Sequence, residues 1–299
     1  MKMQTIDLSI IILSFNQEKY IERAIKSILF QDTNVSFELI IGDDASSDKT
    51  PLIIEEYRKK YPNIIKAVLR KKNIGVVANY FDLISLCKGK FVMECAGDDY
   101  WMEDKIERQI DYMLKNPNCS LLCSATQVID EKGNNLKILR SKKSNYSFSK
   151  LLEYNSVFSP TACYKLEDIN RYICAVNPIS KNWKMEDYPF VLWSSIHGEI
   201  NYLDEILGCY QVSVGSISHP ISIQRQINFE NEVSKIRFFF ARNRKDERNA
   251  QKIYNNNIAH IYITNHQIKK YLSYSFKNMS VCNLIKIPYK VFKYGFLRS

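Results

Sequence analysis

Three pairs of acidic residues stand beside apolar segments of the sequence. They are Asp43-Asp44, Asp98-Asp99 and Glu186-Asp187. Carboxylate oxygens are the ligands that hard divalent cations such as Mg²⁺ and Mn²⁺ prefer in proteins. A carboxylate can also take a proton from a hydroxyl group during catalysis. The pairs are therefore candidates for a metal site and for a general base.

Each pair also has a purely structural interpretation. Adjacent Asp residues are common in turns and at helix N-termini. Glu186 and Asp187 precede Pro189, which is typical of the first turn of a helix, and the helix dipole favours acidic residues there. Whether the pairs form one site depends on the secondary structure around them.

Apolar segments alternate with helical periodicity through the first part of the chain. The run Leu8–Leu13 predicts a buried strand, and apolar residues from Ile21 to Leu29 recur at helical spacing, with Asn16 placed to cap that helix. Further strands are predicted at 37–41, 65–69, 91–95 and 121–128, with helices between them. This alternation predicts an α/β fold, a doubly wound, mostly parallel sheet with helices on both faces.

The carboxyl ends of the predicted strands carry polar clusters. Phe15 and Asn16 follow the first strand, and the pairs Asp43-Asp44 and Asp98-Asp99 follow the second and the fourth. Ligands of such sheets bind outside the carboxyl ends of the strands. No glycine-rich phosphate loop follows these strands, so a phosphate would have to be neutralised by another group, such as a cation held by the carboxylates.

Four motifs resemble the family-2 glycosyltransferases of the GT-A fold over roughly residues 8–215. They are Leu8–Asn16 with Gln31, Glu38–Asp48, Asn73–Gly75 with Asn79, and Lys88–Trp101. Each motif alone is weak, and their shared order and spacing carry the resemblance. It implies transfer of a sugar, with inversion at the anomeric carbon, from a nucleotide-sugar donor to an acceptor hydroxyl. It also implies a divalent ion, Mn²⁺ or Mg²⁺, and a role in bacterial polysaccharide or glycan assembly.

The resemblance places the nucleotide at the strand ends. It implies nucleotide contacts by Phe15, Asn16, Asp43, Asp44, Asn79 and Asp98, with Asp99 as the metal ligand. The Phe15 ring would lie against the base, and Asp44 accepting from an imide N–H would favour a UDP- or dTDP-sugar. The sequence departs from the family pattern at Gly97, where a strict D-x-D motif begins, and at Ala78, where many relatives have Arg.

The segment Trp183–Pro189 resembles the acidic pair that precedes a helix in the family. The resemblance implies that Asp187 is the general base and that Glu186 orients it or contacts the acceptor, while a helix-capping role for both remains an alternative. The segment Cys209–His219 resembles a stretch that closes over donor and acceptor. It would bring Ser216 and His219 to the diphosphate or the acceptor, and an ordinary turn at His219 is the alternative.

The positive charge of the chain is concentrated towards its C-terminal end. The formal net charge is +10, and residues 220–299 hold 15 Lys and Arg against 4 Asp and Glu. We predict a catalytic domain at 1–220 and a basic, mainly helical extension at 221–299. Apolar residues from Ile285 to Phe296 recur at helical spacing beside lysines. Such a helix suits an anionic membrane surface and a lipid-linked glycan acceptor, or it packs back on the catalytic domain.

Two other functions stay open from the sequence. One is a nucleotide-sugar-binding protein without turnover, and the other is a basic nucleic-acid-binding protein. Carboxylates at the strand ends would repel a phosphate backbone, so no nucleic-acid partner is expected. Scattered cysteines, the lack of a signal peptide and the lack of an apolar membrane span predict a cytoplasmic protein that could meet the inner face of the membrane. The sequence does not indicate the donor sugar, the acceptor or the oligomeric state.

Overall fold

The computed structural model describes residues 6–142, 146–212 and 222–278. The chain divides into two compact units, Met1–Val212 and Ser213–Ser299. The predicted boundary at residue 220 falls outside the described residues, and the functions assigned to the two parts remain predictions.

The first unit is built on a single sheet. Within the described residues its strands are β1 (Leu8–Ser14), β2 (Phe37–Asp43), β3 (Ile65–Leu69), β4 (Phe91–Ala96), β5 (Tyr100–Trp101), β6 (Cys119–Ile129), β7 (Asn135–Leu139), β8 (Cys163–Lys165) and β9 (Glu199–Gln211). Their order is β3-β2-β1-β4-β8-β6-β9-β5, and β7 pairs with β6. The helices are α1 (Ile21–Leu29), α2 (Thr50–Lys60), α3 (Val76–Ile84), α4 (Lys105–Lys115), α5 (Phe148–Glu153), α6 (Leu166–Val176) and α7 (Asp187–His197).

The central strands pair in parallel, as their continuous apolar runs predict. β1 pairs with β2 and β4, β2 with β3, and β6 with β9. The pairings of β5, β7 and β8 are antiparallel. β5 has 2 residues, β8 has 3 and β7 has 5. These three strands are not predicted from the sequence, because their short segments carry too little periodicity.

Helices cover both faces of the sheet. On one face Ile10 of β1 packs in an apolar cluster with Ile25 of α1 and Ile110 of α4. On the other face Gly42 of β2 lies against α3, where an added Cβ would come within 2.8 Å of the Leu83 side chain. Glycine at this position lets α3 approach the sheet closely. The predicted doubly wound α/β arrangement is confirmed.

The carboxyl ends of β1, β2 and β4 lie side by side at one edge of the sheet. Ser14 at the end of β1 is in register with Asp43 at the end of β2. The Asp44 N–H donates to the Ser14 carbonyl at 2.9 Å, and the Gly97 N–H donates to the Leu13 carbonyl at 2.9 Å. The loops after these three strands therefore begin at the same edge, which is where ligands of parallel sheets bind.

The second unit is helical in its described residues. It contains α8 (Ile223–Phe240), α9 (Arg244–Thr264) and α10 (Ile268–Asn278). Ile263 and Tyr271 are fully buried between α9 and α10, and the buried pair Arg237–Glu230 joins two turns of α8 at 2.6 Å. The prediction of C-terminal helices is confirmed. None of the described helices has the length and apolar composition needed to cross a membrane, and the predicted helix at 285–296 lies outside the described residues.

Candidate functional site

The end of β1 presents an exposed aromatic ring. Phe15 is 49% exposed, which is unusual for a large apolar side chain beside a buried strand. The next residue, Asn16, has a positive φ of 54°. Its Oδ1 accepts from the Ser47 N–H at 2.9 Å, and its own N–H donates to the Ser46 hydroxyl at 2.7 Å. Asn16 therefore ties the loop after β1 to the loop after β2, and it does not cap α1, whose N-cap is Tyr20.

The acidic pair after β2 is held by backbone N–H groups. Asp43 is buried and accepts from the Ser46 N–H at 2.9 Å. The two carboxylate oxygens of Asp44 accept from the N–H groups of Ile74 (2.8 Å) and Gly75 (2.9 Å). These bonds fix the Asp44 carboxylate against the loop after β3, and each of its oxygens keeps a lone pair for a further donor.

Asn79 makes its hydrogen bonds inside the protein. It is 2% exposed, its Nδ2 donates to the Gly42 carbonyl at 3.0 Å, and its Oδ1 accepts from Arg70 Nε at 2.9 Å. The geometry favours a role in holding Arg70 over the predicted direct contact with a nucleotide. Arg70 also pairs with Asp82 at 2.6 Å. The family motif has Arg where this chain has Ala78, and Arg70 supplies a cation nearby, at the carboxyl end of β3, that no motif predicts.

The pair after β4 forms a turn with two closely spaced carboxyl groups. Asp99 is 1% exposed, and its Oδ1 accepts from the Gln211 N–H at 2.8 Å. Burial raises the pKa of both carboxyls, and the Asp98 charge raises the pKa of Asp99 further. The Gln211 N–H and the Arg23 charge partly counteract this rise by lowering the pKa of Asp99. Negative charge on this turn is therefore costly, and a bound cation would relieve that cost.

Arg23 of α1 holds this turn in place through hydrogen bonds. One Nη2 donates to the Asp98 carbonyl at 2.7 Å and to Gln211 Oε1 at 2.8 Å. The guanidinium also lies 4.5 Å from the centre of the Tyr100 ring. Arg23 was missed in the sequence because it stands on the polar side of the apolar stripe of α1. Nothing in that stripe indicates a partner at Gln211, far along the chain.

The turn fits a divalent cation that is completed by other ligands. Asp99 Oδ1 is held by the protein, and Oδ2 makes no hydrogen bond to a described residue. Among the described residues there is no group of three His, Cys, Asp or Glu side chains that could hold a metal ion. Buried polar atoms of Gln17, Arg23 and Gln211 around the turn likewise lack partners in the described part of the chain. Such a donor set suits a hard ion that takes its remaining ligands from a diphosphate and water.

Gly97 explains the departure from a strict D-x-D motif. A Cβ at this position would come within 2.1 Å of Gln17 Oε1. The Gln17 amide thus occupies the space that a side chain at position 97 would need. Within the described part of this turn, Asp98 and Asp99 are therefore the carboxylates that could contribute to a metal site.

The third acidic pair lies at the N-terminus of α7. Burial raises the pKa of both Glu186 and Asp187, and the charges of Asp187 and Glu94 raise that of Glu186 further. The backbone N–H groups of Tyr188 and of Asp187 itself counteract the rise at Asp187. Asp187 is therefore the member of the pair that ionises more easily. Both side chains keep partial exposure, so a hydroxyl group could reach them.

The capping interpretation fails for Glu186 and stays open for Asp187, which lies in the first turn of α7 and interacts with the backbone N–H groups there. Glu186 is the N-cap residue of α7, and its side chain makes no capping hydrogen bond. Asp187 Oδ2 instead accepts from Asn155 Nδ2 at 3.5 Å. Of the predicted closing segment, Cys209–Gln211 forms the end of β9, which the sequence analysis did not predict. Ser216 and His219 lie outside the described residues.

Sequence comparison finds relatives over most of the chain. The profile of glycosyl transferase family 2 matches residues 9–169. An Escherichia coli protein named UDP-Glc:alpha-D-GlcNAc-diphosphoundecaprenol beta-1,3-glucosyltransferase is 30% identical over 217 residues, which cover 70% of this chain and 79% of that protein. The chain spans 62% of the length of uncharacterised Mycobacterium tuberculosis and Mycobacterium bovis proteins that are 32% identical to it over 222 residues.

Solved structures share the architecture. Staphylococcus aureus TarS 1-349 in complex with UDP-GlcNAc matches with a TM-score of 0.63 and 17% identity, covering 96% of this chain and 80% of that one. The mannosyltransferase PcManGT from Pyrobaculum calidifontis in complex with GDP-Man and Mn²⁺ matches with a TM-score of 0.60 and 14% identity, with coverages of 96% and 80%. These similarities confirm the predicted GT-A fold. Since the family profile spans more than half of the chain and includes β1, β2, β4 and the acidic residues at their ends, the chain belongs to glycosyl transferase family 2.

Proposed function

We propose that this chain is an inverting glycosyltransferase that moves a sugar from a UDP- or dTDP-sugar to an acceptor hydroxyl in bacterial polysaccharide or glycan assembly. The observation that carries the proposal is the shared edge of β1, β2 and β4, which gathers the Phe15 ring, the Asp44 carboxylate and the Asp98-Asp99 turn. Side by side, an aromatic ring, a carboxylate and a turn that can hold a cation are suited to bind a base, a ribose and a diphosphate.

The donor nucleotide would bind along this edge. The exposed face of Phe15 offers a surface for a base, and Asp44 has lone pairs left for an imide N–H. Asp43 and Asn16 would support the loops, and Asp98 would approach the ribose. The likeness to TarS bound to UDP-GlcNAc is consistent with a uridine nucleotide, whereas the mannosyltransferase that binds GDP-Man has the same fold. The preference for a pyrimidine therefore rests on Asp44.

The Asp98-Asp99 turn would hold Mn²⁺ or Mg²⁺ together with the donor diphosphate. When bound, the ion neutralises the charge that develops on the departing nucleotide diphosphate. Asp99 would supply Oδ2 of a carboxylate group that the Gln211 N–H holds in place through Oδ1. Arg23 keeps the turn in position through the Asp98 carbonyl.

Asp187 would act as the general base. Its carboxylate takes the proton of the acceptor hydroxyl while the acceptor oxygen bonds to the anomeric carbon and the bond from that carbon to the diphosphate oxygen breaks. A single displacement of this kind inverts the anomeric centre. The N-terminus of α7 favours the ionised Asp187 that this step requires, and Glu186 beside it would orient the acceptor.

The acceptor would be a lipid-linked glycan. The Escherichia coli relative is named for an acceptor on diphosphoundecaprenol, which resides in a membrane. The basic C-terminal residues could bring this chain to an anionic membrane surface from the cytoplasmic side, as the sequence predicts. Ser216 and His219 would contact the diphosphate or the acceptor.

Thermal unfolding with nucleotides tests the donor site. We expect UDP or dTDP with Mn²⁺ to raise the melting temperature by about 5–10 °C at a nucleotide concentration near a hundred times Kd. The nucleotide without metal should give a smaller shift, and GDP with Mn²⁺ a smaller one still. Equal shifts for all three nucleotides would remove the role of Asp44 in base choice, and the lack of any shift would remove the donor site.

A further inference from the structure

A buried carboxyl group in the middle of β4 has no part in the site described so far. Glu94 is 5% exposed and forms no ion pair with a described residue. The Ser159 hydroxyl donates to its Oε1 at 3.2 Å, and the Tyr164 hydroxyl donates to its Oε2 at 3.5 Å. The Tyr164 hydroxyl is in turn hydrogen-bonded to that of Tyr80. A buried carboxyl with only hydroxyl partners is more stable neutral than charged.

Two chains of side-chain contacts connect Glu94 to the start of α7. Asn155, which contacts Asp187, belongs to the same short segment as Ser159, which contacts Glu94. Tyr164, the second partner of Glu94, packs against Phe190 on the first turns of α7 at 5.1 Å between ring centres. Glu94 is therefore linked through Asn155, Ser159 and Tyr164 to the start of α7, where the acidic pair lies.

The three carboxyl groups of Glu94, Glu186 and Asp187 influence one another. Burial, followed by the charge of Asp187, raises the pKa of Glu94 to about 8. The titratable groups that interact electrostatically with Glu94 are Tyr80 of α3, Tyr164 of β8, Lys105 of α4, Glu186 and Asp187 at α7, and Cys95 on its own strand. Only one of the three carboxyls can ionise at low cost, and the N-terminus of α7 favours Asp187.

We propose that Glu94 is a positioning residue that acts as a neutral carboxylic acid, leaving the negative charge of the buried cluster on Asp187. This inference rests on the proposed function, which assigns the proton transfer to Asp187. Glu94 neither gains nor loses a proton in the transfer step. Its hydrogen bonds with Ser159 and Tyr164 connect β4 to residues that pack next to the start of α7, and its ionisation would add a second negative charge that interacts with Asp187.

The pH dependence of Glu94→Gln tests the inference. Glutamine keeps the shape and the neutral state, and like the neutral acid it accepts from one hydroxyl through its carbonyl oxygen and donates to the other. The variant should therefore show near wild-type kcat/KM at pH 7. The wild type should lose kcat/KM about tenfold per pH unit above about pH 8, where Glu94 ionises, and the variant should not. Burial lowers the pKa of Lys105 to about 8 as well, but Lys105 is present in both proteins, so a decline caused by it would persist in the variant. An unchanged alkaline decline in Glu94→Gln would overturn the inference.

Glu94→Leu separates hydrogen bonding from packing. Leucine fills a similar volume without hydrogen bonds, and its kcat should fall about tenfold or more, whereas glutamine restores the rate. Equal rates in the two variants would show that Glu94 only fills space. Failure of the proposed function is distinguishable, because it would appear as full activity of Asp187→Asn. If Asp187→Asn loses activity and Glu94→Gln keeps the wild-type pH profile, the inference about Glu94 is rejected while the proposed function stands.

Unfolding across the pH range gives a readout independent of activity. A carboxyl whose pKa is raised on folding stabilises the folded state less as pH rises, from its unfolded value of 4.5 to its folded value of about 8. Glutamine at position 94 does not titrate, so Glu94→Gln does not lose stability in this way. Its melting temperature should therefore rise relative to wild type between pH 5 and pH 8, and the difference should level off above about pH 9. A difference that is constant across this range would contradict a neutral Glu94.

Discussion

Asp187→Asn should lower kcat by about 10²–10⁴-fold while leaving the affinity for the donor nucleotide unchanged. The amide has the size of the carboxylate but cannot take the proton of the acceptor hydroxyl. Because desolvation raises the pKa of the partly exposed Asp187, the neutral amide should not reduce stability at neutral pH. Initial rates of sugar transfer and titration calorimetry with the nucleotide would measure the two quantities.

Two further variants serve as controls for Asp187→Asn. Asp111→Asn changes an exposed carboxylate that pairs with Lys115 on α4, and it should leave transfer unchanged. Glu186→Gln should cost less than Asp187→Asn, because Glu186 is the more readily protonated member of the pair and supports the acceptor. Transfer at the wild-type rate by Asp187→Asn would exclude Asp187 as the base. Loss of nucleotide binding in that variant would instead indicate a disturbed fold.

The parts of the site that the sequence predicted share one property. Phe15, Asp44 and Asp99 each follow a long apolar strand, so strand periodicity alone brings them to the same edge of the sheet. The strands are buried on both faces, which makes their apolar runs continuous and easy to recognise. The fold around β1, β2 and β4 was therefore predictable from local patterns.

The site residues that the sequence does not predict are defined by contacts over long sequence separations. Arg23 meets Gln211 from 188 positions away, and Glu94 meets Tyr164 from 70 positions away. Neither pair follows a periodic pattern, and a lone Arg on a helix or a lone Glu in a strand has no sequence signature. Asn79 is the opposite case, a residue that the family motif identifies as a nucleotide contact. In the structure its amide is hydrogen-bonded to Gly42 and Arg70 instead. Motifs therefore locate the site, and the tertiary structure decides how each side chain acts within it.

Asp99→Asn should remove the metal-dependent part of nucleotide binding and lower kcat by about 10³-fold. The Gln211 N–H can still donate to the amide oxygen, so the turn keeps its shape. An amide lacks the charge that attracts a divalent ion beside the diphosphate. In thermal unfolding, Mn²⁺ should add little to the shift given by UDP alone, whereas it adds a large increment in the wild type.

The stability of the unliganded variant separates this effect from unfolding. Burial and the charge of Asp98 raise the pKa of Asp99, so its ionised form destabilises the folded protein more strongly as pH rises. Asn removes that cost, and the unliganded variant should melt at or above the wild-type temperature at neutral pH. Asp104→Asn is the matched control, because Asp104 lies on the surface just downstream and its side chain makes no capping bond to α4. If Mn²⁺ stabilises Asp99→Asn and Asp104→Asn equally in the presence of UDP, the ion is not held by Asp99, and the metal site must be sought elsewhere.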